Sequence, residues 1–349
     1  MIPENPTPPE NPVDRIQSNL LELTQLTNPD ISRITDFRNK VHAEIGKVVV
    51  GQTSLIDDLL NCILSNGHTL LEGVPGVAKT LIAKSLASLI GAKFTRIQFT
   101  PDLMPSDIVG TKIFDFSDST FKTQKGPVFS NLVLIDEVNR APAKTQAALL
   151  EVMEERQVTI EGETFPMEYP FLVLATQNPV EFEGTYQLPE AQLDRFLMKI
   201  LVAYPEEEEE KEVLRRFHSG VLKIGESKSG GNAPGVLAGA TELKAMRRTI
   251  ESVAVEDGIF GYINRLVRGT RNHGHLFMGS SPRGNIALLL CAKTRAALSG
   301  RDYVNPDDVK STALPVLRHR VILNPEAEIE GLTVDQILRS IADQAEVPR

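Results

Sequence analysis

The stretch Gly73-Val74-Pro75-Gly76-Val77-Ala78-Lys79-Thr80 constrains this chain more than any other. An apolar run, Thr69-Leu70-Leu71, precedes it, and a helical pattern, Leu81-Ile82-Ala83-Lys84-Ser85-Leu86-Ala87, follows it. A strand that turns through glycines into a helix is the setting of a phosphate-binding loop. The loop turns backbone N–H groups inward, and the helix adds the positive end of its dipole. Lys79 would neutralise the outer phosphates of a nucleotide, and the Thr80 hydroxyl would coordinate Mg²⁺. The pattern GxxxxGK[ST] has Ala78 at its second glycine. Alanine keeps the loop tight but tolerates fewer backbone angles than glycine. The competing reading is a chance strand–turn–helix carrying a surface lysine.

A second segment weighs against chance. Leu132-Val133-Leu134-Ile135-Asp136-Glu137 is an apolar run ending in two carboxylates. Such a run suits a strand buried on both faces of a parallel sheet. Charges at its C-terminal end belong at the sheet edge, where open α/β sheets bind ligands. Asp136 would hold Mg²⁺ through its water shell, and Glu137 would orient and deprotonate an attacking water.

Three further segments are weaker alone. Phe171 to Thr176 reads as a strand running into Gln177-Asn178-Pro179, and an Asn178 amide facing the γ-phosphate can position the lytic water. Within Leu188-Pro189-Glu190-Ala191-Gln192-Leu193-Asp194-Arg195-Phe196, Arg195 is either a salt-bridged surface arginine or a group reaching a phosphate on a neighbouring subunit. In Gly279-Ser280-Ser281-Pro282-Arg283-Gly284, Pro282 suits a first helical turn and puts Arg283 at that helix's N-terminal end.

Taken in order, these segments resemble the AAA+ ATPases, and their wording resembles the MoxR family. The wording is GVPGVAKT, LVLIDEVNRAP, LATQNP, EGTYQLPEAQLDRF and SPRG. The resemblance runs from about Asp36 to about Leu323, and alanine before the lysine is the family's own spelling. It implies a three-layer α/β domain around a parallel sheet, followed by a smaller all-helical lid. It also implies an ATP-hydrolysing remodelling factor that forms a homo-oligomeric, hexameric ring. Family members often act with von Willebrand factor A domain proteins in metal or cofactor insertion and complex assembly. Mg·ATP would bind between subunits. Gly73, Val74, Pro75, Gly76, Val77, Ala78, Lys79, Thr80 and Leu81 would form the phosphate site, and Val49, Val50, Gly51 and Gln52 would line the adenine pocket. Arg195 would act across the interface as an arginine finger. Arg283 would sense the γ-phosphate from the lid, in its own site or a neighbour's.

Composition agrees. A net charge of −9 argues against general nucleic-acid binding, which needs clustered Lys and Arg. Cys62 and Cys291 sit in apolar helical patterns without disulfide or metal spacing. No run reaches the roughly 18 apolar residues of a membrane span, and no signal peptide is visible, so a cytoplasmic protein is expected.

The chain divides by composition. Residues 1–30 are rich in Pro, Asn and acids and read as disordered. Residues 31–205 form the α/β core, beginning with a helical pattern that Gly46 would stop. Residues 206–240 hold an acidic helix start at Glu206 to Glu210 and a Gly/Ser-rich linker, and residues 241–349 form the lid. Two insertions read as hairpins: Phe114 to Phe129, interrupting a helix, and Arg156 to Met167, around Glu161-Gly162. The resemblance implies that they line a central channel and could touch a substrate; the competing reading is that they only stiffen the subunit interface. His273-Gly274-His275 lacks a third ligand nearby, and Arg318 and Arg320 read as lid contacts.

Two other classes share parts of this pattern. A nucleic-acid motor would keep every ATP residue but needs a basic, aromatic-bearing channel, and the chain has 5% aromatics and no tryptophan. A nucleotide-gated scaffold would be expected to lack Glu137 or Arg195, and both are present.

Overall fold

The computed structural model describes residues 30–74, 76–178, 186, 188–220 and 235–348. The expectation of disorder before residue 30, the contribution of Pro75 and most of the 225–239 linker lie outside these residues.

Two helices, Ile31–Ile45 and Thr53–Leu64, lead into the sheet. The first buries Ile34, Phe37, Val41 and Ile45, the i, i+3, i+7, i+11 spacing of one helical face. Gly46 does cap it, but with ordinary right-handed angles (φ −59°) rather than the left-handed turn that favours glycine.

The strands follow in order: β1 (Thr69–Gly73), β2 (Phe94–Gln98), β3 (Gly110–Asp115), β4 (Thr120–Lys125), β5 (Leu132–Asp136), β6 (Gln157–Ile160), β7 (Glu163–Pro166), β8 (Leu172–Gln177) and β9 (Met198–Val202). Five of them form one parallel sheet in the order β2-β5-β8-β1-β9. Leu132, Val133, Leu134 and Ile135 are completely buried. Successive strand residues point to opposite faces. Leu132, Leu134, Leu172 and Leu174 therefore enter one core, and Val133, Ile135, Val173 and Ala175 the other. Covering such side chains on both sides contributes roughly 1.5–3 kcal/mol each.

A parallel sheet has two unlike edges. Every strand ends at one and begins at the other, so the connections between them must cross the full sheet. The helix Lys79–Leu89 runs back from the end of β1, and the helix Ala143–Glu155 runs back from the end of β5. The latter carries Met153 to the starting edge, where its carbonyl lies 3.0 Å from Nε2 of His68, the residue before β1.

Both expected hairpins form. The first spans Gly110–Lys125, four residues earlier than the sequence suggested, and follows the short helix Pro105–Val109; β5 comes next, with no second helical half. The second pairs β6 with β7 around Glu161-Gly162.

The C-terminal part, expected to be the lid, comprises helices Ala240–Glu251, Asp257–Arg271, Pro282–Leu298, Pro306–Leu317, Pro325–Ile329 and Val334–Gln344. It also holds a small antiparallel pair, β10 (Leu276–Met278) with β11 (Ile322–Leu323), which periodicity over so few residues does not signal. The lid shares a continuous apolar core with the sheet and the first two helices. Asn61 Nδ2 donates to the Cys291 carbonyl at 2.9 Å, and Asp57 pairs with Arg38 at 2.6 Å and Arg295 at 3.7 Å. Both cysteines are buried and unbridged.

Candidate functional site at the two edges of the sheet

The finishing edge gathers the phosphate loop and the acid pair. Gly73 lies so close to β9 that a Cβ there would meet the Val202 carbonyl at 2.5 Å. Gly76 (φ +89°) and Ala78 (φ +58°) then take left-handed angles. Ala78 thus occupies a region where glycine is free and alanine costs about 1 kcal/mol. Val74 and Val77 turn toward the core, while Leu81 is exposed. Lys79 opens the helix with Thr80 beside it, and its Nζ donates to the Gly73 carbonyl at 2.7 Å. Partial burial lowers the Lys79 pKa from its ordinary value, while Asp136 and Glu137 pull it back up.

Asp136 ends β5, and Glu137 follows in the left-handed region (φ +56°). Thr176 of β8 fixes both. Its Oγ1 accepts from the Glu137 N–H at 3.0 Å and donates to Asp136 Oδ1 at 3.2 Å. Arg96 pairs with the other Asp136 oxygen. Glu137 Oε2 accepts from Gln98 at 2.7 Å and from Arg140 at 2.9 Å. Asn178 directly follows β8, the strand between β5 and β1, at the same edge. The Thr80 hydroxyl and Asp136 carboxylate are hard oxygen donors of the kind Mg²⁺ takes, so the residues fit that ion.

Beside the loop, Val49 is buried, and Val50, Gly51 and Gln52 are half-buried. Gly51 (φ +67°) lies where any Cβ would collide with the Glu209 carboxylate. Gln52 Nε2 donates to the Ala203 carbonyl at 3.2 Å. A cavity of about 240 Å³ opens there, bounded by Gln52, Leu55, Asp58, Ile200, Tyr204 and Glu209. Burial pushes the Asp58 carboxyl up to about 6. Glu209 belongs to the acidic helix Glu207–His218, whose N-terminus it caps at the Glu206 N–H.

The two late arginines are elsewhere. β9 starts at Met198, level with Thr69 at the start of β1. Arg195 precedes β9, so it lies at the starting edge, one strand length of about 13 Å from the finishing edge. There Arg195 meets Glu154 at 3.0 Å, and Arg283 meets the same carboxylate at 3.2 Å. Pro282 occupies the first turn of its helix as the sequence suggested, with Ser281 as the cap. A cavity of about 300 Å³ takes in Arg156, Arg195, Arg283, Arg320, Glu154 and Asp194. The structure therefore unites Lys79, Thr80, Asp136, Glu137 and Asn178 at one edge, and Arg195 with Arg283 at the other.

Arg318 and Arg320 do join the lid to the α/β unit. Arg318 pairs with Asp335 at 2.9 Å and donates to the Lys199 carbonyl at 3.1 Å. Sequence reasoning did not pick out Arg96, Gln98, Arg140, Thr176 or Glu154. The alternation Arg96-Ile97-Gln98 hints at two polar side chains on one face of a strand, but only the register Gln98↔Asp136 shows which strand they address. Among the described residues, no group of His, Cys, Asp and Glu is arranged to hold a metal ion by itself, and no helix is long and apolar enough to cross a membrane.

Comparison with known proteins agrees with this geometry. Residues 68–198 match the family described as "ATPase family associated with various cellular activities (AAA)", and residues 268–341 match the AAA lid domain. Chaperone MoxR1 of Mycobacterium tuberculosis is 44% identical over 88% of this chain and 81% of its own length. Protein MoxR of Methylorubrum extorquens is 31% identical over 92% of this chain and 98% of its own. A crystal structure from Cytophaga hutchinsonii, titled as a candidate ATPase, is 45% identical over 91% of this chain and 98% of its own, with a TM-score of 0.81. A nucleotide-binding loop, an acid pair and a lid on the same chain therefore have one meaning: this protein belongs to the MoxR family of AAA+ ATPases and hydrolyses ATP.

Proposed function

We propose that the chain works as a closed head-to-tail ring, a hexamer, with Mg·ATP bound between neighbouring subunits. The observation that carries this reading is the separation of Lys79 from Arg195 across the sheet. One subunit supplies Gly73, Gly76 and Lys79 to the phosphates, and Thr80 and Asp136 to Mg²⁺. Glu137 takes the proton of the attacking water, and Asn178 positions that water. The next subunit supplies Arg195, with Arg283 beside it, to the γ-phosphate. Held by Thr80 and Asp136, Mg²⁺ would supply neutralisation of phosphate charge. The base rests against Val49, Val50, Gly51 and Gln52.

Turnover then drives remodelling of partner proteins in the cytoplasm, including those with von Willebrand factor A domains. The first hairpin supports a client-facing role. Phe116 is 88% exposed and Phe121 70% exposed, and both pack edge-on against Phe114. Exposed apolar clusters of this kind mark contact surfaces.

Sedimentation of Glu137→Gln protein with Mg·ATP tests the ring. A single closed species is expected, while a monomer at every concentration would refute the reading. Co-purification from native extract tests the partner class.

A further inference from the structure

Three consecutive lid residues grip the segment that carries Arg195. Arg320 is 4% exposed at its side chain, and its Nε donates to Asp194 Oδ1 at 2.8 Å. Its Nη2 donates to the Phe196 carbonyl at 2.7 Å and the Asp194 carbonyl at 3.4 Å. Its Nη1 donates to the Leu197 carbonyl at 3.2 Å and to the Val316 carbonyl. His319 reaches the Phe196 carbonyl at 2.9 Å through Nε2, and Arg318 reaches that of Lys199. Arg320 therefore holds the residues immediately before and after Arg195. A buried guanidinium is costly unless its donors are satisfied, and here the fork is filled almost wholly by this one segment. Asp194 is shared further, with Ser281 Oγ at 3.3 Å and Arg283 at 3.9 Å. One acid thus ties Arg320 to the helix start that carries Arg283.

We propose that Arg320 is a positioning residue for Arg195, through which the lid of one subunit sets how that arginine meets the neighbour's nucleotide. The inference rests on the reading of Arg195 as a group acting in trans. Arg320 touches no substrate itself. It fixes the backbone on both sides of Arg195, so that lid and finger move together. A planar fork does this where a lysine, a single point charge, cannot span both carbonyls.

Mixed rings test the inference. Arg320→Met is expected to bind ATP with wild-type affinity and to lose turnover about 10²-fold, the scale of a 1 Å misplacement. Mixed with Glu137→Gln, it should regain activity, because the Glu137→Gln neighbour brings a well-held Arg195 to a site with an intact base. Mixed with Arg195→Ala, it should regain nothing, since neither subunit presents the finger. The opposite pattern, rescue by Arg195→Ala and none by Glu137→Gln, would put the defect in the variant's own site and overturn the inference. Wild-type turnover, or no rescue by either partner, overturns it as well. Arg195→Ala with Glu137→Gln is the control. If that pair fails to complement, the trans reading of Arg195 falls first and the inference with it. Should Arg320→Met fail to unfold cooperatively, Arg320→Lys keeps the charge and takes the same mixing assay with the same outcomes.

Discussion

Lys79 and Arg195 sit beside adjacent strands of one parallel sheet yet at opposite edges of it. Lys79 follows the end of β1, while Arg195 precedes the start of β9, and the two strands run level from Thr69↔Met198 to Gly73↔Val202. No arginine side chain spans that sheet and still reaches past the loop to a γ-phosphate. In the proposed ring that pairing would be made between two copies of the chain, and the predictions below test that division.

Lys79→Ala removes the cation next to the Gly73 carbonyl and the acid pair. Loss of one member of a desolvated charge pair costs about 2–5 kcal/mol, so ATP affinity should fall by at least about 30-fold. Isothermal titration checks this, and unchanged affinity would remove the loop from the site.

Glu137→Gln keeps the shape of the side chain and both of its neighbours, Gln98 and Arg140. It should bind ATP and stall, since one general base contributes on the order of 10²–10⁴ in rate. Single-turnover measurement separates binding from cleavage. Cleavage at the wild-type rate would mean that another group takes the proton.

Arg195→Ala should retain ATP binding and lose roughly 10³–10⁵ in turnover. Mixed in equal amounts with Glu137→Gln, about a quarter of the interfaces of a cyclic ring would pair an intact base with an intact arginine. Activity above either variant alone is expected once subunit exchange is shown by labelling. Silence under proven exchange would assign Arg195 to its own subunit or to structure alone.

Two buried histidines and the half-buried Asp58 shape the acid stability. Burial lowers His68 to about 3 and takes His319 well below its ordinary value, while it raises Asp58 to about 6. A histidine depressed in the folded state contributes stability that is present above its unfolded pKa and lost as pH falls. His68 therefore costs about 1.4 kcal/mol per pH unit between about 6.5 and about 3, and His319 acts in the same direction. Asp58 has the opposite sign: its contribution is present at low pH and lost as pH rises through about 6. As pH falls from 6 towards 4, the two histidines lower stability while Asp58 partly offsets them, so a net decline is expected. Chemical denaturation across this range should show His68→Gln flattening the decline and Asp58→Asn steepening it. Parallel slopes in all three proteins would contradict the assignment.

Much of the finishing edge was legible because chemistry and spacing coincide there. Apolar runs ending in Asp136-Glu137 and in Asn178 fix strand ends, and a parallel sheet puts all such ends together. The starting edge was harder to read. Arg195 and Arg283 stood out as residues, but nothing in their spacing reveals that Glu154 holds both. Arg320 looked like one more basic residue in a basic segment, and only its burial distinguishes it. The pair β10–β11 eluded periodicity because two or three residues carry no period. Ala78 is different again: the sequence marks the departure from glycine, and the backbone shows that its left-handed angle is retained regardless.

The two hairpins are not independent appendages. Lys125, the last residue of β4, lies over the rings of Phe129 and of Phe165 from β7, at 5.0 and 4.9 Å. Lys112 of β3 reaches Glu163 of β7 at 3.8 Å. The two hairpins are thus braced against each other, and the second follows directly from the helix Ala143–Glu155, which carries Glu154. The bracing gives the exposed phenylalanines of the first hairpin and the carboxylate that holds Arg195 and Arg283 one shared footing, the β6–β7 hairpin and the helix it continues.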